Sequence, residues 1–173
     1  MSLEILLALV ALFALLSAGF AGLSAAPWVP ARAYDMDRFL KLAQIQPGQT
    51  LYDIGCGDGR VLCSAAKVGA FAEGFEISLL LYLIACIRSL FQGNGRVKVR
   101  YGDFWKKKLS DADVVYFFLT PKPIPRLVRK FQKELKKGTK VISYTFPIPA
   151  WQPMAVDREN NRATLYLYEI GKQ

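Results

Sequence analysis

The chain has 173 residues, 23 Lys and Arg against 14 Asp and Glu, a formal charge of +9 and no histidine. The length suits one domain plus one appendage. The missing imidazole excludes a Ser-His-Asp triad, a His-ligated metal and a histidine general base together. The basic excess favours anionic partners without choosing among nucleic acid, anionic lipid and acidic protein. The three cysteines, Cys56, Cys63 and Cys86, fit no metal spacing. They read as free thiols in a reducing compartment, and no metal is expected.

No charged side chain occurs from Ile5 to Ala31. Ile5–Ala26 is rich in Leu and Ala and, as a helix, is long enough to cross about 30 Å of hydrocarbon. A cleaved signal peptide is the competing reading. Against it, Glu4 stands where a basic region is usual, and Pro27 follows the best cleavage site, Ser24-Ala25-Ala26. The expectation is an uncleaved, single-pass transmembrane anchor over residues 1–26. Arg32, Arg38 and Lys41 follow it and nothing basic precedes it. That asymmetry places the N-terminus outside and the domain in the cytoplasm. Residues 27–34 read as a linker, because Pro27 and Pro30 block a continuous helix. Trp28 there is placed either as an interfacial anchor or to pack on the domain.

The remaining residues, 35–173, alternate strand and helix. A first helix spans about Asp35 to Ala43, with Met36, Phe39, Leu40 and Ala43 on one face. Gln46-Pro47-Gly48-Gln49 is a turn. Expected strands are Thr50–Ile54, Ala72–Glu76, Val97–Tyr101, Val114–Leu119 and Lys140–Thr145. Expected helices are Gly59–Val68, Leu79–Phe91 and Pro123–Leu135. The pattern implies a mainly parallel α/β sheet with helices on both faces. Pro153–Asp157 and Ala163–Ile170 flank a polar turn and read as a C-terminal antiparallel hairpin, for seven strands in all. Leu79–Phe91 is apolar all round. Its outer face either dips into a membrane, meets a partner, or lies buried under neighbouring elements.

Chemistry concentrates in Leu51–Arg60, where a short buried strand runs into Gly55-Cys56-Gly57-Asp58-Gly59 and then a helix. Alternating glycines let the backbone turn tightly and let a ligand approach it closely. Asp53 points a carboxylate into the same space. It would repel a pyrophosphate but suits a ligand carrying an ammonium and a sulfonium. A dinucleotide-binding Gly-x-Gly-x-x-Gly is absent, since Arg60 occupies its third glycine. Glu76, at the next strand end, can accept two ribose hydroxyls, or it is a solvated loop acid. Asp103 follows the third strand in Tyr101-Gly102-Asp103-Phe104-Trp105, as a ligand contact or as a turn cap. Three acids at three successive strand ends form one rim, the usual ligand edge of an open α/β sheet.

These motifs resemble those of class I, seven-strand, Rossmann-like S-adenosylmethionine-dependent methyltransferases. A narrower resemblance is to the protein lysine methyltransferases acting on ATP synthase c-subunit and adenine nucleotide translocase, with their prokaryotic relatives. It is carried by Trp28-Val29-Pro30-Ala31, Gln46-Pro47-Gly48-Gln49, Tyr52–Arg60, Leu119-Thr120-Pro121 and Lys136-Lys137-Gly138-Thr139. Ala31 departs from a common hydroxyl residue and Cys56 from a serine. The resemblance implies S-adenosylmethionine as cofactor, held by Asp53, Gly55, Cys56, Gly57, Gly59, Glu76, Ile77, Asp103 and Phe104. In that family the acid after strand three binds the adenine amino group and apolar neighbours cover the ring. Phe118, Leu119, Thr120 and Pro121 are expected near the substrate. No catalytic base is identifiable. Tyr116, Phe118, Tyr144 and Phe146 either line a channel that favours a cation or belong to the sheet core.

Arg96 to Lys140 holds fourteen basic and four acidic residues. On an anchored domain this favours anionic headgroups. RNA is the rival, but no RNA-binding module is recognisable, so nucleic acid is not expected. The expected activity is methyl transfer at a membrane, to a protein lysine amine. The alternatives are a lipid, quinone or other small-molecule acceptor, and a non-catalytic cofactor-binding scaffold.

Overall fold

The computed structural model describes residues 2–9, 11–12 and 29–172. Residues 3–9 and 11–12 are helical. The expected membrane span, Ile5–Ala26, lies mostly outside the described residues, as does Trp28. Among the described residues no helix is long and apolar enough to cross a membrane.

From Asp35 onward the elements are α1 (Asp35–Ala43), β1 (Thr50–Ile54), α2 (Arg60–Lys67), β2 (Phe71–Glu76), α3 (Leu79–Gln92) and β3 (Val97–Tyr101). A 3-10 turn (Phe104–Lys106), β4 (Val114–Phe117), α4 (Ile124–Glu134), β5 (Lys140–Tyr144), β6 (Ala155–Asp157) and β7 (Leu165–Glu169) follow. One sheet contains all seven strands in the order β3-β2-β1-β4-β5-β7-β6. The first five are parallel, and β7 runs antiparallel to both β5 and β6. Strand order reverses between β1 and β4, which opens a crevice at their C-terminal ends, where such sheets bind ligands.

Two clusters cover the two faces, as period-two alternation demands. Leu51, Val114, Tyr116 and Ile142 face Phe39 of α1 and Leu62 and Ala65 of α2. Ile54, Val115, Phe117 and Val141 face Ile124, Leu127 and Phe131 of α4. Helix α3 covers the β2–β3 edge but buries only Leu81 and Ala85. The alternative in which neighbours enclose it therefore fails, because β3 is the last strand and nothing described lies beyond it.

Strand and helix bounds agree with the sequence pattern to within a few residues. The fourth strand stops at Phe117, short of the expected Leu119, and the hairpin strands begin later, at Ala155 and Leu165. Pro153 lacks a ladder N–H, which delays the first of these. The end of the linker docks: Ala31 is buried and its carbonyl accepts the Arg60 Nη1–H at 2.6 Å.

Candidate active site

The turn after β1 is built on backbone that only glycine adopts without strain. Gly55, Gly57 and Gly59 have φ of 76°, 55° and 77°. This conformation strains L-residues and is free for glycine. The turn is tied to β2, since the N–H groups of Gly55 and Cys56 both donate to the Phe75 carbonyl at 3.0 Å. Cys56 is buried, and a Cβ on Gly74 would stand 2.7 Å from its Cβ and Sγ. The bare backbone of Gly74 thus makes the seat for Cys56. Gly59 lets α3 approach, because a Cβ there would be 3.1 Å from the Ala85 Cβ.

Asp53 sits one residue before the end of β1, in register with Gly74 on β2 and Tyr116 on β4. It is buried, and among the described residues no basic side chain pairs with its carboxylate. Burial, then the charges of Glu76 and Asp58, push its pKa well above the usual carboxylate range. Glu76 ends β2 and is also buried. Its Oε2 accepts the Gly57 N–H at 2.9 Å and its Oε1 accepts the Ser78 N–H at 2.7 Å. Burial raises its pKa, opposed by hydrogen bonds from the backbone of Ser78, Gly57 and Ile77. Ile77 is half-buried.

Asp103 caps its own turn through one of its two carboxylate oxygens. Its Oδ1 accepts the Trp105 N–H at 3.0 Å, which closes the 3-10 turn. The Gly102 N–H donates to the Glu76 carbonyl at 2.8 Å, so the third acid is fixed beside the second. Phe104 is buried in the α4-side cluster with its ring 4.3 Å from that of half-buried Trp105. Beyond β4, Leu119 is buried, Phe118 and Thr120 are half-buried and Pro121 is exposed. The Phe118 ring meets Tyr144 edge-on at 4.7 Å. Tyr116 and Tyr144 belong to the buried core, whereas Phe118 and Phe146 remain partly open.

Several residues of this region were not expected to take part. The Tyr116 hydroxyl is buried and, among the described residues, has no hydrogen-bond partner. Tyr144 donates to Asp35 Oδ2 at 2.7 Å, and Arg38 donates to Asp35 Oδ1 at 2.7 Å and Asp157 Oδ1 at 2.8 Å. This buried clamp holds α1 against the hairpin. Burial, then the Asp35 hydrogen bond, push the Tyr144 pKa up to about 12. Asp58 bonds Arg60 at 2.7 Å and Arg88 at 2.8 Å. Burial works to raise its pKa, but the Arg60 hydrogen bond and both guanidinium charges outweigh it and lower the pKa. The Asp-Gly-Arg of the turn could have shown the Asp58–Arg60 pair.

A sulfonium ligand fits this cleft on the evidence of its charges. Asp53 is a buried acid that pairs with no described cation, whereas Asp58 beside it already holds two arginines. Asp53 and Glu76 together favour positive charge at the turn, and the glycine backbone leaves room for a ligand against it. A mainly parallel sheet with this strand order, its antiparallel end and such an acid-lined turn defines a class I S-adenosylmethionine-dependent methyltransferase. A family model described as the ANTKMT methyltransferase domain matches residues 53–155, and the chain belongs to that family.

A protein-lysine N-methyltransferase of Saccharolobus islandicus is 34% identical over 152 residues, covering 84% of this chain and 94% of that protein. The ATP synthase c-subunit lysine N-methyltransferase of Rattus norvegicus is 36% identical over 128 residues, covering 73% of this chain and 59% of that protein. A structure described as an RNA methyltransferase from Salinibacter ruber in complex with S-adenosyl-L-homocysteine superposes with a TM-score of 0.80. It is 31% identical and covers 84% of this chain and 95% of that one. The protein is thus a methyltransferase using S-adenosylmethionine.

Proposed function

We propose that the protein methylates a lysine amine of a protein substrate at a membrane surface. The observation that carries the lysine reading is the 34% identity that spans 94% of the Saccharolobus protein-lysine enzyme. The rat relative named for the ATP synthase c-subunit supports a protein acceptor in the same way. Membrane attachment rests on the uncharged Ile5–Ala26 segment, with the basic residues after it favouring a cytoplasmic catalytic domain.

When bound, S-adenosylmethionine supplies a methyl group on a sulfonium, which an uncharged amine can take by in-line attack. Asp53 and Glu76 favour the cationic ligand, and Glu76 holds the turn that receives it. Positioning and exclusion of water are the chain's main contributions. A lysine must first lose a proton. With no histidine in the chain, that proton leaves to water or to a carboxylate at the cleft. The partly open Phe118 ring beside Tyr144 offers an aromatic wall suited to an ammonium.

The Salinibacter protein, described as an RNA methyltransferase, supports a second reading in which an RNA base is the acceptor. The exposed cations of α4 and the Lys106–Lys108 run would then track phosphates. Transfer of labelled methyl from the cofactor into membrane-protein, soluble-protein, lipid and RNA fractions separates the readings. Label in membrane protein, released as methylated lysine on hydrolysis, is the expected result. Label confined to RNA or lipid would replace it. Asp53→Ala combined with Glu76→Ala should abolish cofactor binding in calorimetry, and full retention would refute the cleft assignment.

A further inference from the structure

Residues 31–34 form a strap pinned to three elements. The Ala31 carbonyl accepts the Arg60 Nη1–H at 2.6 Å, and Ala31 is buried in the same cluster as Tyr116 and Tyr144. The Arg32 backbone hydrogen-bonds the Tyr144 hydroxyl. The exposed Tyr34 ring lies 4.7 Å from the Arg162 guanidinium and so reaches the turn between β6 and β7. Arg60 follows β1, Tyr144 ends β5, and β4 lies between them in the sheet. The strap therefore crosses the strand ends where the crevice opens.

Arg60 ties this strap to the glycine turn. Its Nε donates to Asp58 Oδ1 at 2.9 Å and its Nη2 to Asp58 Oδ2 at 2.7 Å. Asp58 stands between Gly57 and Gly59, both in left-handed backbone. Arg88 donates from Nη2 to the same Oδ2 at 2.8 Å and from Nε to the Asp58 carbonyl at 2.9 Å. Arg88 thus holds the turn to α3, whereas Arg60 alone joins it to the strap. A planar guanidinium reaches the carboxylate and the Ala31 carbonyl at once, which the single ammonium of a lysine does not. Lifting the strap takes the carbonyl from Nη1 and loosens one of the two grips on Asp58.

We propose that Arg60 is a positioning residue through which docking of the strap and binding of the cofactor favour each other. This deepens the assignment of the cleft above and rests on it. A turn held by a docked strap already has the shape that the ligand needs, so binding orders fewer groups. By reciprocity, cofactor in the turn holds the strap down. The closed strap then shields the crevice from water during transfer, and the open strap admits and releases cofactor.

The test uses the full chain and reads both ends of the coupling. Hydrogen exchange of the Arg32 amide reports the strap, and calorimetry with S-adenosylmethionine reports the turn. Saturating cofactor should slow that exchange about tenfold in wild type. The Tyr34 side chain pairs with Arg32 and Arg162 and does not cap α1. Tyr34→Ala should therefore free the strap without touching the turn, speed the exchange and weaken cofactor affinity about fivefold. Arg60→Lys keeps the charge beside Asp58 without the fork. It should weaken affinity about tenfold and abolish the protection by cofactor. In the double variant the further loss from Tyr34→Ala should vanish, because the strap no longer reaches the turn. Urea unfolding checks each fold, and Tyr34→Ala decides alone if Arg60→Lys does not fold. Cofactor that binds without slowing exchange overturns the coupling and leaves the cleft standing. A Tyr34→Ala chain with a freed strap and unchanged affinity does the same. Losses that simply add in the double variant confine Arg60 to the turn and overturn the coupling too. A wild-type chain that binds no cofactor overturns the cleft assignment and the coupling together.

Discussion

Glu76 accepts the Gly57 N–H at 2.9 Å, so the acid that ends the second strand holds the turn that follows the first. The same carboxylate takes the Ser78 N–H at 2.7 Å and so fixes the start of α3. Glu76→Ala would leave two buried donors unmatched at about 1–3 kcal/mol each. Glu76→Gln keeps one acceptor and loses the charge. Urea unfolding should therefore place Gln above Ala, and cofactor affinity by calorimetry should rank wild type above Gln above Ala. Equal stability of the Ala variant would show that the turn does not depend on this acid.

Asp53 links cofactor binding to protons. Its pKa is raised in the folded chain by burial, and secondarily by Glu76 and Asp58. The folded state thus binds the proton more tightly than the unfolded state. Stability of the cofactor-free protein should fall as pH rises from the unfolded value of about 3.9 towards the raised folded value. Glu76 is raised too and acts in the same direction. A cationic ligand reverses the preference, so cofactor binding should tighten with rising pH and release a proton. Asp53→Asn should raise the Tm of the cofactor-free chain by about 2–4 °C per kcal/mol relieved, while weakening the cofactor. Thermal melts across pH, with and without cofactor, and calorimetry in buffers of different ionisation enthalpy check both signs.

Gly74 should be irreplaceable for a packing reason. An added Cβ would stand 2.5 Å from Leu62 Cδ1 and 2.7 Å from Cys56. Leu62 can rotate, but Cys56 is fixed by the turn. Gly74→Ala should cost about 1–3 kcal/mol from overpacking and disorder the glycine turn. Cofactor affinity should drop more than stability does. Cys56→Gly in the same chain should recover part of both, a coupling that a double-mutant cycle measures.

Arg38 joins α1 to the hairpin through Asp35, which is fully buried, and Asp157. Arg38→Met would strand the Asp35 charge and should cost about 3–5 kcal/mol. Asp35→Asn in the Arg38→Met background should recover part of it. Hydrogen exchange should show α1 and the β6–β7 hairpin opening together in the single variant. Protection lost in only one of them would mean that the clamp is not the joint.

How much of this was legible before the structure depended on range. Asp53 and the alternating glycines announced themselves because the turn is local and its backbone demands glycine. The parallel sheet with its antiparallel end followed from the alternation of elements. Asp103 was ambiguous because a short carboxylate can reach its own backbone two residues on, and here it does. Gly74 is a legible signal, since a glycine inside a strand marks close approach, here of Cys56 and Leu62. The Asp35–Arg38 half of the clamp is an i,i+3 pair on one helix, but Asp157 lies 119 residues away from Arg38 and leaves no pattern that joins it to them. The composition of α3 shows its apolar character, but only its position at the sheet edge leaves the outer face uncovered among the described residues.

Tyr116 separates stability from ligand binding. Its hydroxyl is buried with no partner among the described residues, and its strand position is in register with Asp53. Burying a hydroxyl without a hydrogen bond costs about 1–3 kcal/mol. Tyr116→Phe removes that cost and keeps the ring that packs edge-on against Phe39 at 5.1 Å. The cofactor-free variant should therefore be more stable by about 1 kcal/mol. If the orphaned hydroxyl is kept for the ligand beside Asp53, cofactor affinity should fall about tenfold, the loss of one hydrogen bond. Thermal melts and calorimetry on the same preparation read both quantities. Higher stability with unchanged affinity would assign the hydroxyl to neither the fold nor the cofactor.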